Sequence, residues 1–329
     1  MRQQQKKQKV KRNNISTDGI DIAQWVVKTA DKIPLTFSAW DFAGQEIYYA
    51  THSFFISSKA IYLVVWDLRH PVEDARVAFW LNSVGSKASN APVILVGTHF
   101  DDPMFTNDPN KATEILTQVS EQFCARHSNI KSVIAVSTTE FNGIDQLMTI
   151  LETTAMSMPN IMDKLPKIYQ NLEDVILQEK DTRSPPAVSW SSFVNDIASR
   201  VNFKDEDHLQ EATEFLNNLG SLVYFPETKN CEALVVLDPQ WLTAMFASII
   251  TTSHNYTQHG ILQKSNIPQI WRAPQYPPTM HDTMIRLLEN FEIIFELPAE
   301  QGSESANRDI LYLIPSLLPQ EKPTVDILW

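Results

Sequence analysis

The stretch L-T-F-S-A-W-D-F-A-G-Q, residues 35–45, contains the signal that decides the fold. Its first six residues, mostly apolar, aromatic or β-branched, predict a buried strand that ends where the polar D-F-A-G-Q begins. Two similar runs, Ala60 to Asp67 and Pro92 to Gly97, predict two more buried parallel strands. Helix-length segments follow these two runs, and a fourth strand at 132–137 precedes a helix at 143–155. This alternation is typical of a doubly wound α/β sheet.

The composition favours a folded, acidic protein. The chain has 329 residues, of which 43% are hydrophobic, with a formal net charge of -12 and a pI near 5.1. Nucleic acids and anionic membranes both require a basic face, so we expect neither as the main partner. The two cysteines lie far apart in sequence and predict neither a disulfide framework nor a cysteine zinc site. This usage fits a reducing compartment.

The sequence also bears on localisation. No uninterrupted apolar stretch is long enough for a membrane span, and polar residues follow the basic run Lys6 to Arg12 where a signal peptide would be apolar. We therefore expect a cytoplasmic protein without a transmembrane segment. The basic run is interpreted as the solvated end of a helix, with a nuclear-localisation patch as the alternative.

The periodicity changes after residue 157, which predicts a second domain. Apolar residues at helical spacing from Ile161 to Ile176 predict a connecting helix, and the proline-containing segment 181–187 predicts a linker. The second domain is then expected to have two helices and two short strands, 222–225 and 234–237, like a winged helix. The predicted division is 1–157 for the first domain, 158–183 for the connector and 184–329 for the second domain.

Three capping signals mark helix ends in the second domain. Ser189 is expected to cap the first helix, Gly220 to end the second, and Asp238 with Pro239 to begin a third. Trp241, Phe246 and Ile249 on this third helix are expected to belong to the core.

The D-F-A-G-Q segment resembles the D-x-x-G-Q arrangement that follows a sheet strand in Ras-like GTPases. The resemblance implies that Asp41 holds Mg²⁺ through water and that the backbone N–H of Gly44 approaches the γ-phosphate. It also implies that Gln45 orients the attacking water. Thr17, which precedes a predicted strand at 20–27, is the candidate second metal ligand, with an ordinary Ser/Thr/Asp turn as the alternative.

A second motif, T-H-F-D at 98–101, follows the strand Pro92 to Gly97, where guanine-specific proteins present N-K-x-D. Asp101 is expected to accept the N1–H and N2–H groups of guanine. His99 is expected to stack on the base in place of the usual lysine, and Thr98 departs from the usual asparagine. After the next strand, Ser137, Thr138 and Thr139 are expected to offer backbone N–H groups to guanine O6. All these residues follow strands, at the ligand crevice of an open α/β sheet.

Together with L-V-Y-F at 222–225 and L-D-P-Q-W-L at 237–242, these motifs resemble the Roco family, in which a Roc GTPase domain is followed by a COR domain. The T-H-x-D form and the D-P-Q-W-L segment are the specific parts, because ordinary Ras proteins have neither. The resemblance covers nearly the whole chain. It implies an incomplete Ras-like sheet followed by a winged-helix-like COR domain. It also implies GTP or GDP with Mg²⁺ as cofactors, a homodimer through COR, and attachment to a Ser/Thr protein kinase domain in many members.

The phosphate loop of such a site is missing from the sequence. None of the eight glycines begins a G-x-x-x-x-G-K-[ST] motif, whose amides and lysine supply most of the phosphate affinity. Without the strand that precedes this loop, two strands would lose their shared neighbour, and the Roc half alone would be poorly stable. We expect a piece of a larger protein that hydrolyses GTP when complete and binds it weakly or not at all here. The alternative is a non-catalytic scaffold that acts through COR contacts.

Two other site hypotheses are weak. The predicted recognition helix of the winged-helix unit carries five acidic residues, which would repel DNA phosphates; they are Asp205, Glu206, Asp207, Glu211 and Glu214. His254 and His259 have no third ligand at a useful spacing, so no metal site is expected there.

Overall fold

The computed structural model describes residues 20–28, 34–45, 49–52, 55–74, 76–159, 165–226, 233–251, 256–298 and 309–318. The first element is a hairpin of strands β1 (Ile20–Lys28) and β2 (Pro34–Phe42), paired antiparallel from Ile20 opposite Phe42 to Lys28 opposite Pro34. The prediction that 35–40 is a buried parallel strand is therefore wrong. Exposed and half-buried residues alternate along most of β2, because only one face of the hairpin is covered.

A three-stranded parallel sheet follows, in the order β3 (Tyr62–Asp67), β4 (Val93–Thr98) and β5 (Ile130–Ala135). The central strand β4 is buried along nearly its whole length, as its continuous apolar run predicts. The described residues of this half form five helices: α1 (Tyr49–His52), α2 (Val77–Lys87), α3 (Pro103–Thr106), α4 (Pro109–Phe123) and α5 (Ile144–Met156).

Helices cover both faces of this sheet. Val93 and Leu95 pack with side chains of α2 and α4 in one core, whereas Ile94 and Val96 pack with α5 in a second. This alternation along β4 confirms the α/β class and its doubly wound arrangement. Helix α2 begins at Val77, because turns occupy the segment after Pro71.

The parallel sheet is open at β3. Within the described residues, β3 pairs with β4 alone and β2 pairs with β1 alone. Val64 and Trp66 of β3 are buried, but Leu63 is 42% exposed and Val65 56% exposed, so β3 is buried on one face only.

The connecting helix α6 (Lys167–Thr182) leads into a compact unit with its own core, which includes Leu172, Phe193 and Leu216. A three-stranded antiparallel sheet of this unit has the order β6 (Ala187–Ser189), β8 (Leu234–Val236) and β7 (Val223–Phe225). Its helices are α7 (Trp190–Ser192), which continues as a π turn to Ile197 and a 3₁₀ turn to Arg200, and α8 (Glu206–Leu219).

The predicted helix caps of the second half are confirmed. The Ser189 side chain accepts a hydrogen bond from the Ser192 N–H, and Gly220 ends α8 with φ of 78°. The Asp238 side chain accepts from the Gln240 N–H at the start of α9 (Pro239–Ile250). Trp241, Phe246 and Ile249 of α9 are buried, as expected.

The remaining elements form a larger core around α9, α11 (His281–Asn290) and Trp271, which is only 1% exposed. A four-stranded antiparallel sheet covers it, in the order β11 (Phe295–Glu296), β12 (Leu311–Leu313), β10 (Ile261–Gln263) and β9 (Thr257–Gln258). The short helix α10 (Ile267–Ile270) precedes Trp271.

The β1–β2 hairpin packs against the second half of the chain. Ala43 at the end of β2 belongs to the core that contains Trp241 and Leu242, and the Trp40 ring lies beside Gly220. Ile20 and Ile22 are hydrogen-bonded to Gln240 of α9. Over the described residues, no helix has both the length and the hydropathy to cross a membrane.

Candidate functional site

The carboxyl ends of β4 and β5 are joined by backbone hydrogen bonds. The Val136 N–H donates to the Gly97 carbonyl at 2.8 Å, and the Phe100 N–H donates to the Val136 carbonyl at 3.1 Å. Because of these bonds the T-H-F-D segment and the loop that begins at Ser137 form one edge of the sheet. This edge is where open parallel sheets bind their ligands.

Asp101 is the central acceptor of this edge. A hydrogen bond from the Ser137 hydroxyl lowers the pKa of Asp101, and its own backbone N–H and the positive charges of His99 and Arg69 add to this effect. Ser137 is fully buried, so its hydroxyl is a fixed donor. Asp101 is therefore an ionised carboxylate with lone pairs left for two N–H donors of a ligand.

His99 has an unusual backbone conformation at the same edge. Its φ of 62° lies in the left-handed region, which is uncommon for residues other than glycine and is frequent at functional sites. Its carbonyl accepts from the Asp102 N–H at 3.0 Å, and its Nδ1 lies 3.1 Å from the Thr98 hydroxyl. The Thr98 hydroxyl also lies 3.1 Å from the Trp66 carbonyl, to which it donates. Thr98 therefore fixes the end of β4 to β3.

Asp67, at the carboxyl end of β3, is a site residue that the sequence analysis missed. Its carboxylate accepts from Arg69 Nε at 2.9 Å and from Arg69 Nη2 at 2.6 Å, and His99 Nδ1 lies 3.5 Å away. The bidentate bond to Arg69, followed by the charge of His99, holds the pKa of Asp67 well below its usual range. The rule that identified Asp101, an acid at the end of a parallel strand, also applies to Asp67.

The loop after β5 differs from the expectation in one detail. The Ser137 N–H donates to the Asn142 carbonyl at 2.8 Å, so it is engaged within the loop, and its predicted role toward guanine O6 stays a prediction. Ser137 acts on the site through its hydroxyl. Thr138 is exposed on the turn that follows, and its predicted role stays a prediction.

The D-F-A-G-Q segment lies on the hairpin, in a different sheet from the T-H-F-D segment. Asp41 and Gln45 are exposed, as is Gly44, whose carbonyl accepts from the Tyr49 hydroxyl at 3.2 Å. Thr17 lies outside the described residues. The structure therefore brings Thr98, His99, Asp101 and Ser137 together at one edge and attaches Asp41, Gly44 and Gln45 to a separate element.

The carboxylates of the hairpin suit a hard divalent cation. Asp21 and Asp41 are directly opposite each other in the β1–β2 register, where like charges repel unless a cation lies near them. Carboxylate oxygens are preferred Mg²⁺ ligands, with water and nucleotide phosphates completing the shell. No cluster of three or more His, Cys, Asp or Glu side chains in the described part of the chain could hold a metal by itself.

His52 lies in a buried aromatic cluster next to the D-F-A-G-Q segment. Its ring contacts Phe42 with centroids 4.9 Å apart, Trp80 at 5.6 Å and Tyr49 at 6.0 Å. His52 is 2% exposed and neither ring nitrogen has a hydrogen-bond partner. Burial lowers the pKa of His52 to about 4, so the ring is neutral at physiological pH.

Known families match both halves of the chain. Residues 1–101 match the family described as Ras of Complex, Roc, domain of DAPkinase, and residues 166–318 match the C-terminal of Roc, COR-A domain. The chain belongs to the Roco family. Its order of a Roc segment followed by a COR segment agrees with the resemblance seen in the sequence.

Individual proteins support this assignment. The Roco chain is 41% identical to the probable serine/threonine-protein kinase pats1 of Dictyostelium discoideum, over 95% of this chain and 10% of that protein. It is 26% identical to the leucine-rich repeat serine/threonine-protein kinase 1 of Mus musculus, over 88% of this chain and 15% of that protein. The chain thus spans about a tenth to a seventh of these relatives.

A solved structure resembles most of the Roco chain. The RocCORdC structure of Roco2 from Methanosarcina barkeri, bound to GDP, superposes with a TM-score of 0.68 at 26% identity. The match covers 92% of this chain and 86% of that one. The arrangement of Roc and COR elements described above is therefore shared with a Roco protein.

Proposed function

We propose that the chain is the guanine-nucleotide switch segment of a multidomain Roco signalling protein. Residues 1–157 form the Roc domain, 158–183 the connector and 184–329 the N-terminal part of COR. One observation carries this proposal: the Asp101 carboxylate is held by the buried Ser137 hydroxyl beside His99, at the joined ends of β4 and β5. A carboxylate fixed there can accept both N1–H and N2–H of guanine, which adenine does not offer.

The proposed cofactors are GTP and GDP with Mg²⁺. The GDP bound by the Methanosarcina barkeri protein supports this choice, as do the facing carboxylates Asp21 and Asp41. When bound, Mg²⁺ neutralises phosphate charge, and Asp41 and Thr17 are its proposed ligands. Gly44 is proposed to approach the γ-phosphate through its N–H, and Gln45 to position the attacking water.

The wider role follows from the relatives. Their names describe serine/threonine-protein kinases, so we propose that the nucleotide state of the complete protein regulates an attached kinase in the cytoplasm. The COR domain is proposed to support a homodimer. These functions are proposed for a complete protein, and the chain spans only a small share of the relatives' length.

Titration of the purified chain with fluorescent GTP and GDP analogues in Mg²⁺ tests the proposal. Asp101→Ala should abolish whatever binding is seen, and the exposed Asp145→Asn should not change it. Asp101→Asn is the more specific test of base recognition, because an amide accepts from N1–H and donates to the 2-oxo group of xanthine. It should weaken guanine binding and favour xanthine nucleotides by about tenfold or more. Guanine binding unaffected by both Asp101 variants would refute the site.

The second candidate function is a non-catalytic scaffold. It is favoured by the sequence, in which no G-x-x-x-x-G-K-[ST] motif occurs. A scaffold should bind no nucleotide at millimolar concentration yet still form a dimer in sedimentation experiments. Nucleotide binding that depends on Asp101 would exclude it.

A further inference from the structure

The segment Leu237–Leu242, which the sequence marks as specific but the nucleotide site does not use, contacts the hairpin directly. Gln240 Nε2 donates to the Ile20 carbonyl at 2.8 Å, and Gln240 Oε1 accepts from the Ile22 N–H at 2.9 Å. One side-chain amide thus binds two backbone groups that are about 220 residues away in the chain.

These two hydrogen bonds replace those that a neighbouring β-strand would make with Ile20 and Ile22. In an antiparallel strand the carbonyl of one residue and the N–H two residues later point to the same side. The Gln240 amide has one acceptor oxygen and two N–H donors, so it satisfies both groups at once. It covers the edge of β1 that faces away from β2, an edge that would otherwise present unpaired backbone.

The position of Gln240 is itself fixed. The side chain of Asp238 accepts from the Gln240 N–H at 3.2 Å and forms an ion pair with Lys180 of α6 at 3.0 Å. Thr243, one turn further along α9, donates to the Ile20 carbonyl at 3.3 Å. Ile20 is 1% exposed and Thr243 3% exposed, whereas Gln240 and Ile22 are half-buried, so the contact lies at the margin of a buried region.

We infer that Gln240 is a positioning residue that attaches the start of β1 to helix α9. Ile20 follows Thr17, the predicted Mg²⁺ ligand, by three residues. If a change of nucleotide displaces Ile20, that displacement must either break the Gln240 bonds or move α9 with it. This functional consequence rests on the proposed nucleotide site, whereas the attachment itself does not.

Amide hydrogen exchange of the full chain, resolved by residue with NMR, tests the attachment. Gln240→Met keeps the side-chain volume but removes both bonds, and the Ile22 amide should exchange about tenfold faster or more. Gln240→Glu can still accept from the Ile22 N–H but cannot donate to the Ile20 carbonyl, so its effect should be intermediate. Gln210→Met is the matched control, because Gln210 is exposed on α8 and its amide donates to Glu214 of the same helix.

The order of the variants separates positioning from space-filling. If Gln240 only fills space, the Ile22 amide should exchange at the wild-type rate in Gln240→Met and faster in Gln240→Glu. That result overturns the inference. If Gln240→Met does not fold, as judged by circular dichroism, the exchange rates of the β1 amides are compared between Gln240→Glu and Gln210→Met. Faster exchange in Gln240→Glu supports the attachment, and equal exchange refutes it.

A nucleotide experiment distinguishes this inference from the proposed function. If the chain binds a fluorescent GTP analogue, Gln240→Met should release it about threefold faster or more, and Gln210→Met should not. Equal release rates would refute the link to the nucleotide site. If no variant binds nucleotide, the proposed function fails for this chain, and the exchange experiment still decides the attachment.

Discussion

The two parts of the candidate site are held in different ways. The T-H-F-D edge is fixed by its own sheet, through the backbone bonds between Gly97, Phe100 and Val136 and through the Thr98 hydroxyl. The D-F-A-G-Q segment lies at the end of a two-stranded hairpin, where Ala43 belongs to the COR core and Phe42 contacts His52.

We propose different tasks for the two parts from this difference. An edge fixed by its own sheet keeps the same shape whatever COR does, which suits recognition of a base. A segment fixed by another domain moves with that domain, which suits a response to the γ-phosphate. The comparison makes distinct predictions for variants of the sheet, the aromatic cluster, the hairpin contact and the carboxyl edge.

The largest effect is expected in the core of the parallel sheet. Leu95 on β4 is completely buried, so Leu95→Ala should lower the free energy of unfolding by about 3 kcal/mol through lost burial and a cavity. Leu63→Ala on the neighbouring strand is the control, because Leu63 is 42% exposed. It should cost less than about 1 kcal/mol. Urea unfolding measures both, and equal costs would show that the β3 edge is covered in solution.

The next effect concerns the pH dependence of stability. The folded-state pKa of His52, about 4, lies below the value of 6.5 for a free histidine. As pH falls from 6.5 to 4, His52 is protonated in the unfolded chain but remains neutral in the folded chain. The contribution of His52 to the free energy of unfolding is therefore fully present above pH 6.5, and up to about 3 kcal/mol of it is lost at pH 4.

Comparison with His52→Leu isolates this contribution from other titrating groups. The variant should lack the loss between pH 6.5 and 4, and it should be at least as stable as the wild type at pH 7 because no ring nitrogen is left unpaired. Chemical unfolding at several pH values measures the difference. Parallel stability curves for the two proteins would show that His52 is protonated or hydrated in solution.

A smaller effect is expected where the hairpin contacts COR. Gly220 has φ of 78°, and a Cβ there would lie 3.0 Å from the Trp40 ring. Gly220→Ala should cost about 2 kcal/mol, from backbone strain and displacement of Trp40, and should accelerate hydrogen exchange in β2.

Gly85→Ala is the control for the Gly220 variant. Gly85 lies within α2, and no atom would come within 4 Å of its Cβ. This change should raise stability by about 0.5–1 kcal/mol through helix propensity. If Gly220→Ala changed exchange in the parallel sheet rather than in β2, the separation of the two parts would be wrong.

The smallest effect is expected at the carboxyl edge. Asp67→Asn weakens the bidentate bond to Arg69 and the contact with His99, and should cost about 1 kcal/mol because these groups are partly exposed. The exposed Asp74→Asn should have no measurable effect. Since the pKa of Asp67 is depressed, its contribution is present above the pKa of a free aspartate and is lost in acid. If Asp67→Asn and the wild type lost the same free energy of unfolding in acid, this contribution of Asp67 would be contradicted.

The sequence by itself determined the local features of this protein. The strand runs, the connecting helix and the caps Ser189, Gly220 and Asp238 depend on residues a few positions apart, so their pattern is visible in the chain. The T-H-F-D and D-P-Q-W-L motifs indicated the Roco family for the same reason.

Only the tertiary structure decided how these pieces meet. The antiparallel partner of β2, the exposure of Leu63 and Val65, and the burial of His52 depend on which neighbours surround a residue in space. The bonds from Gln240 to Ile20 and Ile22 join residues about 220 positions apart, and no local propensity or periodicity specifies such a pair. Long-range contacts arise from packing and from the need to satisfy backbone groups at a strand edge, which become apparent only when the whole chain is folded.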